Sequence, residues 1–527
     1  VAPSTRNIER RRKRPATGGR AGLQRRTHGS AAPAETHAAA RRFAVPAVLF
    51  VVCLAAYLSN GDFLPGNDQA GNMLFSVNLL KRGALSVSPP HAPDAFFWTL
   101  EQPGQPAQRV TFDNWNSAVD DAYRRGRLKA PTHYYYLSAT THPDRYVNTF
   151  GVGAPLTGLP VYAALDLFVD IAADRYWWWH GGALAASLLT AGAALFVFLA
   201  ARGFVAPMPA FLVALAFGLG SCVWPINSQA LWQHPANTFF LSLGAWFLLR
   251  RTQRMSDAAC CGAALGMAVL CRPASAVVVV CVGAYLVWTS HRRLAAYVLG
   301  GLPLLAILVA YNSYYFGSPL TFGQGVASKI IALASTGSDN LWQSSWLESI
   351  PGLLISPQRG LVWFSPVLLL GLVGAVAIWR NAIYRPLIPL QAAVVLLFLV
   401  AGRWFDWWGG STWGYRPIVD TTPFLALLMI PVIGQVLANR GLRVLFAALL
   451  VWSVAVQFVG AYSYSLIGWT NQWSDHDNPD RASLWQWRRP QIGYHLANFG
   501  LERARKKDLM AAYVDNPKPI LNVLRLE

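Results

Sequence analysis

Residues 43–83 read FAVPAVLFVVCLAAYLSNGDFLPGNDQAGNMLFSVNLLKRG, and the order of their parts decides the fold. The first part, 43–59, is uncharged and long enough for a helix to cross the hydrocarbon core of a bilayer. A polar stretch of Asn, Gly and Asp follows, and then a segment, 71–82, that is apolar on one side. Asp68 stands between them, at the expected membrane face. A carboxylate in that place, on so apolar a chain, is a candidate general base acting on something the membrane delivers.

Outward from this stretch the same pattern recurs. Hydrophobic residues make up 54% of the 527 positions and charged residues 13%, against roughly 25% charged in an average soluble domain. Repeated apolar runs of this length predict an all-α, polytopic helical membrane protein, since a backbone in lipid must satisfy its polar groups within its own helix. Hydropathy places about eleven spans, at 43–59, 179–201, 205–222, 235–250, 257–271, 274–290, 295–315, 361–379, 386–402, 418–437 and 443–461.

The net charge is +19, which taken alone points to nucleic acid or anionic lipid. Its distribution says otherwise. The first 42 residues hold eleven Lys/Arg and two Glu. Together with the loops at Arg202, Arg250–Asp257, Arg292–Arg293, Arg380–Arg385 and Arg440–Arg443, they carry 21 basic and three acidic residues. All the rest holds 23 basic and 22 acidic residues. This is the positive-inside asymmetry, so the charge reports topology and no nucleic-acid partner is expected. It predicts a multi-pass membrane protein with the N-terminus cytoplasmic and the C-terminus outside.

Three parts are expected: a disordered basic cytoplasmic tail (1–42), a transmembrane domain (43–461) and a periplasmic C-terminal segment (462–527). Cleavage of a secretory signal is disfavoured, because the basic region is far too long and no small-x-small site follows Ser59. The outward pieces are 60–178, 223–234, 316–360, 404–417 and the C-terminal segment, which reads either as a cap over the mouth or as a surface-lying tail. Residues 71–82 and 155–170 read as helices lying along the membrane, and Trp177–Trp179 as an interfacial anchor. The six cysteines lie in or beside apolar runs, which implies neither a disulfide framework nor a zinc site, and Cys260–Cys261 reads as a pair of small helix-packing residues.

No Walker A, GxSxG, HExxH or dinucleotide-binding glycine pattern occurs in its required context. The informative motifs are outward-facing: Asp68 with FSVNLLKRGALSV (75–87), GVGAPLTGLPVY (151–162), LWQH (231–234), GMAVLCRP (266–273), YNSYYFGSPLTFG (311–323), LLISPQRGLVWFSP (353–366) and WWGGSTWGYRPIVDTTPFL (407–425). Their order, with the long first loop, resembles the glycosyltransferase C superfold from about residue 45 to 490. The likeness is to its bacterial family-39 or mannosyltransferase-like branch, related to lipid A aminoarabinose transferases and protein O-mannosyltransferases. The resemblance implies an inverting transfer of a sugar from a polyprenyl-phosphate donor to a hydroxyl of a glycan, lipid or protein outside the membrane. It implies a bacterial cytoplasmic (inner) membrane with a periplasmic active site, and neither a metal nor another cofactor. This chain departs from the pattern in one respect: many relatives carry a second acid beside the first, and here the neighbours are Asn67 and Gln69.

Such a reaction needs a base for the acceptor hydroxyl and fixed donors for the departing phosphate. Asp68 is the candidate base; the alternative is a helix N-cap. Asp62 is the reserve and Asp113 a weaker third. Arg359 and Arg416 are the leading phosphate ligands, followed by Arg272 and His234, with snorkelling or structural roles as alternatives. Lys329, in the 316–360 loop, is a weaker cation of the same kind. In the 404–417 stretch, Trp408, Trp413 and Tyr415 either line a substrate cavity or anchor the helix end in headgroups. Asp406 is expected to pair with Arg403 or Arg416. A transporter, flippase or polymerase of lipid-linked glycans is the rival class. Mid-span charges and repeat symmetry would mark a transporter, and neither is evident.

Overall fold

The computed structural model describes residues 32–64, 67–88, 97–101, 108–111, 137–143, 145–465, 481–515 and 523–525. The chain divides into Val1–Ala44 and a compact unit, Val45–Glu527. The description below is of the second. Most of the basic tail, and the candidate Asp113, lie outside the described residues.

The unit is mostly helical, and each of the eleven expected segments contains an apolar helix. Among the described residues four are long and apolar enough to cross a membrane: Tyr176–Ala201, His291–Phe316, Ala382–Arg403 and Arg440–Ser463. A fifth candidate is the pair Arg416–Leu427 and Ile430–Ala438, bent by 61°. Others, such as Ala44–Leu58, Pro207–Gly218 and Met255–Cys271, are shorter. Small residues let these helices approach closely, as expected where packing rather than hydrophobicity joins helices. A Cβ at Gly262 would collide with the carbonyl of Tyr297, and one at Gly300 with that of Ala259. Cys261 is buried at this contact and Cys260 is exposed; both are free thiols.

Three features refine these expectations. First, the helical reading holds in the main, and the first loop and the C-terminal part add two small sheets. Phe97–Glu101 pairs antiparallel with Gln108–Thr111 and parallel with Val523–Arg525, and Leu137–Ala139 pairs antiparallel with Tyr146–Asn148. These short aromatic and β-branched segments favour strands. Second, the 71–82 and 155–170 segments form Asn67–Arg82 and Gly153–Leu165, which pack on one another, while Leu167 and Phe168 just past the second helix are exposed. Ser76 Oγ donates to the Pro155 carbonyl at 2.9 Å. Met73, Val77 and Tyr162 join Leu231 and Trp179 in one buried cluster, so Trp179 is core rather than an anchor. Third, residues 223–234 are not a solvated loop. All are buried, as a π-helical turn (Val223–Asn227) that leads into Gln233–Leu249.

The described C-terminal part contains Gln491–Ala497 and Phe499–Asp515 and packs on the 404–417 loop. Gln491 Nε2 donates to the Thr412 carbonyl at 2.8 Å, and its Oε1 accepts from Gly414 N–H at 3.1 Å. His495 contacts Ser463 Oγ at 3.2 Å and the edge of Trp413. Burial pushes the His495 imidazole down to about 3, so it is held neutral.

Candidate active site

Asp68 lies in the first turn of Asn67–Arg82, inside the helix rather than at its cap, where the dipole favours a carboxylate. The helix is pinned from both sides. Gln69 donates to the Leu64 carbonyl and accepts from Leu231 N–H at 3.2 Å. Asn72 donates to the Leu231 carbonyl at 2.7 Å and accepts from Asn148 Nδ2 at 2.7 Å. Gln69 is therefore a strut between two loops.

The partner of Asp68 comes from 348 residues away: Arg416 Nη1 donates to its Oδ2 at 2.7 Å. Arg416 opens the 3-10 helix Arg416–Thr421, just after Gly414, whose φ of 58° only glycine adopts easily. Its Nη2 donates to the Gly409 carbonyl at 2.7 Å, and its guanidinium lies 4.7 Å from the centre of the Trp232 ring. Carboxylate and guanidinium are both half-buried, so the pair stays reachable.

Four residues further along the same 3-10 helix, buried Asp420 accepts from Arg272 Nη1 and faces His234 Nδ1 at 3.4 Å. Arg272 Nη2 also reaches the Pro417 carbonyl at 3.5 Å, and its Nη1 lies 3.4 Å from His234 Nδ1. The end of Met255–Cys271, the start of Gln233–Leu249 and the Arg416–Thr421 turn thus meet in one polar cluster. Nearby in sequence, Trp232 Nε1, Gln233 Oε1 and Asn237 Nδ2 are buried and make no hydrogen bond with a described residue. Each such group costs about 1–3 kcal/mol unless something polar meets it.

The other expected residues lie elsewhere. Arg359 is fully buried. It donates to the carbonyls of Gln358 and Gly410 and to Gln491 Oε1, all at 3.0 Å. Together Arg416 and Arg359 hold the successive carbonyls of Gly409 and Gly410, both at positive φ. Trp413 and Tyr415 are fully buried: a Cβ at Gly460 would strike the Trp413 ring, and Tyr415 OH donates to Ser365 Oγ at 2.6 Å. Trp408 is buried, edge-on to Trp407. The C-terminal segment packs on this loop through Gln491 and His495. Lys329 is exposed on the helix Gly323–Thr336 and makes no hydrogen bond or ion pair with a described residue. Asp62 is buried between Lys506, at 3.2 Å, and Lys507.

Asp406 accepts Gly410 N–H at 3.0 Å, and burial pushes its carboxyl up to about 6 against the pull of Arg416. Arg403 does not pair with it; Arg403 Nη1 donates to the Ser344 carbonyl at 3.0 Å. Sequence reasoning missed Asp420, Trp232, Gln491 and the two lysines. Asp420 lies within the quoted 407–425 motif as an acid in an apolar run, and that was the available signal.

No protein-family model and no curated protein matches the chain. Among solved structures, it is similar to ArnT from Cupriavidus metallidurans in the apo state, at 14% identity over 90% of this chain and 80% of that one, with a TM-score of 0.44. It is also similar to ArnT bound to undecaprenyl phosphate, at 13% identity over 91% and 80%, with a TM-score of 0.42. The apo oligosaccharyltransferase of Archaeoglobus fulgidus is similar at 12% identity over 88% of this chain and 60% of that one, with a TM-score of 0.42.

Proposed function

We propose that this chain is an inverting membrane glycosyltransferase. It moves a hexose or pentose from a polyprenyl-phosphate donor to a hydroxyl of a glycan, lipid or protein. The observation that carries the reading is the Asp68–Arg416 pair, a reachable carboxylate bound at 2.7 Å to a cation, with Arg272 in the adjoining cluster. The reading includes eleven membrane crossings, a periplasmic active site and a cytoplasmic N-terminus. The charge asymmetry of the loops supports that orientation.

In the proposed step the acceptor oxygen attacks the anomeric carbon from the face opposite the phosphate. Its proton passes to the Asp68 carboxylate as the carbon–oxygen bond to phosphate breaks, and the electron pair leaves on the polyprenyl phosphate. Arg416 and Arg272 receive the growing charge, and the arginine fork is suited to a phosphate. Trp232 beneath Arg416 holds the guanidinium in plane.

The test compares envelope glycans by mass spectrometry from cells with the protein, without it, and with Asp68→Asn. One hexose or pentose substituent is expected to vanish in the last two. If it persists without the protein, the transferase reading fails. If it persists with a normally folded Asp68→Asn, the base is wrong. Movement of a lipid-linked glycan across proteoliposomes that Asp68→Asn leaves intact would favour a flippase.

A further inference from the structure

We propose that Asp420 is a positioning residue that fixes the tautomer of His234 and aims Arg272, so that the site offers one acceptor nitrogen to a substrate hydroxyl beside one guanidinium for phosphate. The proposal rests on the transferase reading of this site and assigns within it what His234 recognises.

Asp420 is buried, and its two oxygens are divided: Oδ2 takes Arg272 Nη1, and Oδ1 faces His234 Nδ1 at 3.4 Å. The charged groups facing His234 are Asp420 and Arg416, on the 3-10 helix, and Arg272, at the end of Met255–Cys271. The carboxylate decides where the imidazole proton sits. Arg272 Nη1 is also 3.4 Å from Nδ1, but its shorter contact is to Asp420. A carboxylate opposite Nδ1 holds the proton there, as in any dyad where an acid orients a histidine.

The consequence concerns Nε2, which makes no hydrogen bond with a described residue. In the tautomer with Nδ1–H, Nε2 is purely an acceptor. It repels a phosphate oxygen and accepts a hydroxyl hydrogen, either from the transferred sugar or from the acceptor. His234 is thereby moved from phosphate ligand, as the sequence suggested, to hydroxyl reader. Arg272, held by Asp420 and by the Pro417 carbonyl, keeps its remaining donors for phosphate. Trp232 Nε1 and Gln233 Oε1, buried and unmatched beside His234 in sequence, are further polar atoms that a hydroxylated ligand would satisfy.

The experiment uses the full chain in nanodiscs with ¹⁵N-histidine, the His234 signals being identified by their loss in His234→Gln. Wild type is expected to show neutral His234 protonated at Nδ1 at neutral pH. Asp420→Asn should move the proton to Nε2, and Asp420→Glu should restore the wild-type signal. Binding of undecaprenyl phosphate should weaken about tenfold in Asp420→Asn through Arg272 and little in His234→Gln. Protonation at Nε2 in wild type, or an unchanged tautomer in Asp420→Asn, overturns the proposal, as does a loss of undecaprenyl-phosphate binding in His234→Gln equal to that in Asp420→Asn. If wild type binds no undecaprenyl phosphate, the transferase reading falls, while the tautomer still decides the role of Asp420.

Discussion

Asp62 and Asp68 are six residues apart, and both meet cations from distant parts of the chain, yet the two neighbourhoods are built oppositely. The Asp62 side chain is 0% exposed and held by two lysines of the C-terminal helix; Asp68 is 24% exposed and held by one arginine. Around Asp62 the cations are themselves tied down: Lys506 Nζ donates to the Ala461 carbonyl at 2.6 Å and Lys507 Nζ to the Asn60 carbonyl at 3.2 Å. Burial pulls the Lys506 ammonium below the usual lysine range, and Asp62 opposes that pull. A closed arrangement of this kind fastens one segment to another. An open pair with one planar cation leaves lone pairs for a substrate. Exposure and partner type, more than the presence of an acid, separate latch from site.

The largest expected effect tests the open side. Asp68→Asn should lower transfer by about 100- to 10,000-fold, the range a positioned general base supplies. Its melting temperature should stay within a few degrees of wild type, because the asparagine amide oxygen still accepts from Arg416, which also keeps its bond to the Gly409 carbonyl. Sugar-transfer rates and thermal unfolding measured on the same preparation check both halves. A rate loss that tracks lost folding would make Asp68 a second latch. The mirror experiment is Asp62→Asn, expected to cost about 3–5 kcal/mol of stability by leaving Lys506 charged and buried. Protein that still folds at low temperature should retain most of its transfer activity.

The comparison also explains what could be read from the chain. The apolar runs, their polarity and Asp68 itself follow from local pattern, as does the Arg416 motif. The pairing of Asp68 with Arg416 does not, since 348 residues separate them and no local rule links a helix start to a 3-10 turn. Arg359 and Arg416 looked alike in sequence, each beside glycines at a span end. The structure parts them because Gln491, from a segment with two open readings, covers one and not the other. Asp420 was hidden for a similar reason: an acid in an apolar run declares a partner without naming it.

Asp406 lies between the two extremes and sharpens the comparison through pH. Burial raises its carboxyl to about 6, from 3.8 in the open chain. The folded protein therefore binds its proton more tightly than the unfolded one. The resulting penalty is absent below about pH 4, grows as pH rises, and is complete above about pH 6, reaching on the order of 3 kcal/mol. Denaturation profiles across that window should fall with pH in wild type and flatten in Asp406→Asn. A wild-type profile that rises across the window would show the carboxyl to be stabilised in its charged form. Arg416→Lys probes the open side again. One ammonium cannot reach Asp68 and the Gly409 carbonyl with the same fork, so losing one charge-assisted bond of about 1.5–3 kcal/mol should cost roughly 10- to 100-fold in kcat/KM.

The smallest effect separates the two lysines of the latch. Lys506 is 1% exposed and Lys507 is 44% exposed, although both contact Asp62. If burial sets the energy of such a contact, Lys507→Ala should cost less than about 1 kcal/mol, because water screens its charge and can replace it. Lys506→Ala, by contrast, removes a buried donor from both Asp62 and the Ala461 carbonyl and should cost several times more. Unfolding of the two variants at low and at high salt checks this. The cost of Lys507→Ala should shrink with salt and that of Lys506→Ala should not. Equal costs, or equal salt dependence, would mean that the latch is held by its net charge, and exposure would no longer distinguish the neighbourhood of Asp62 from that of Asp68.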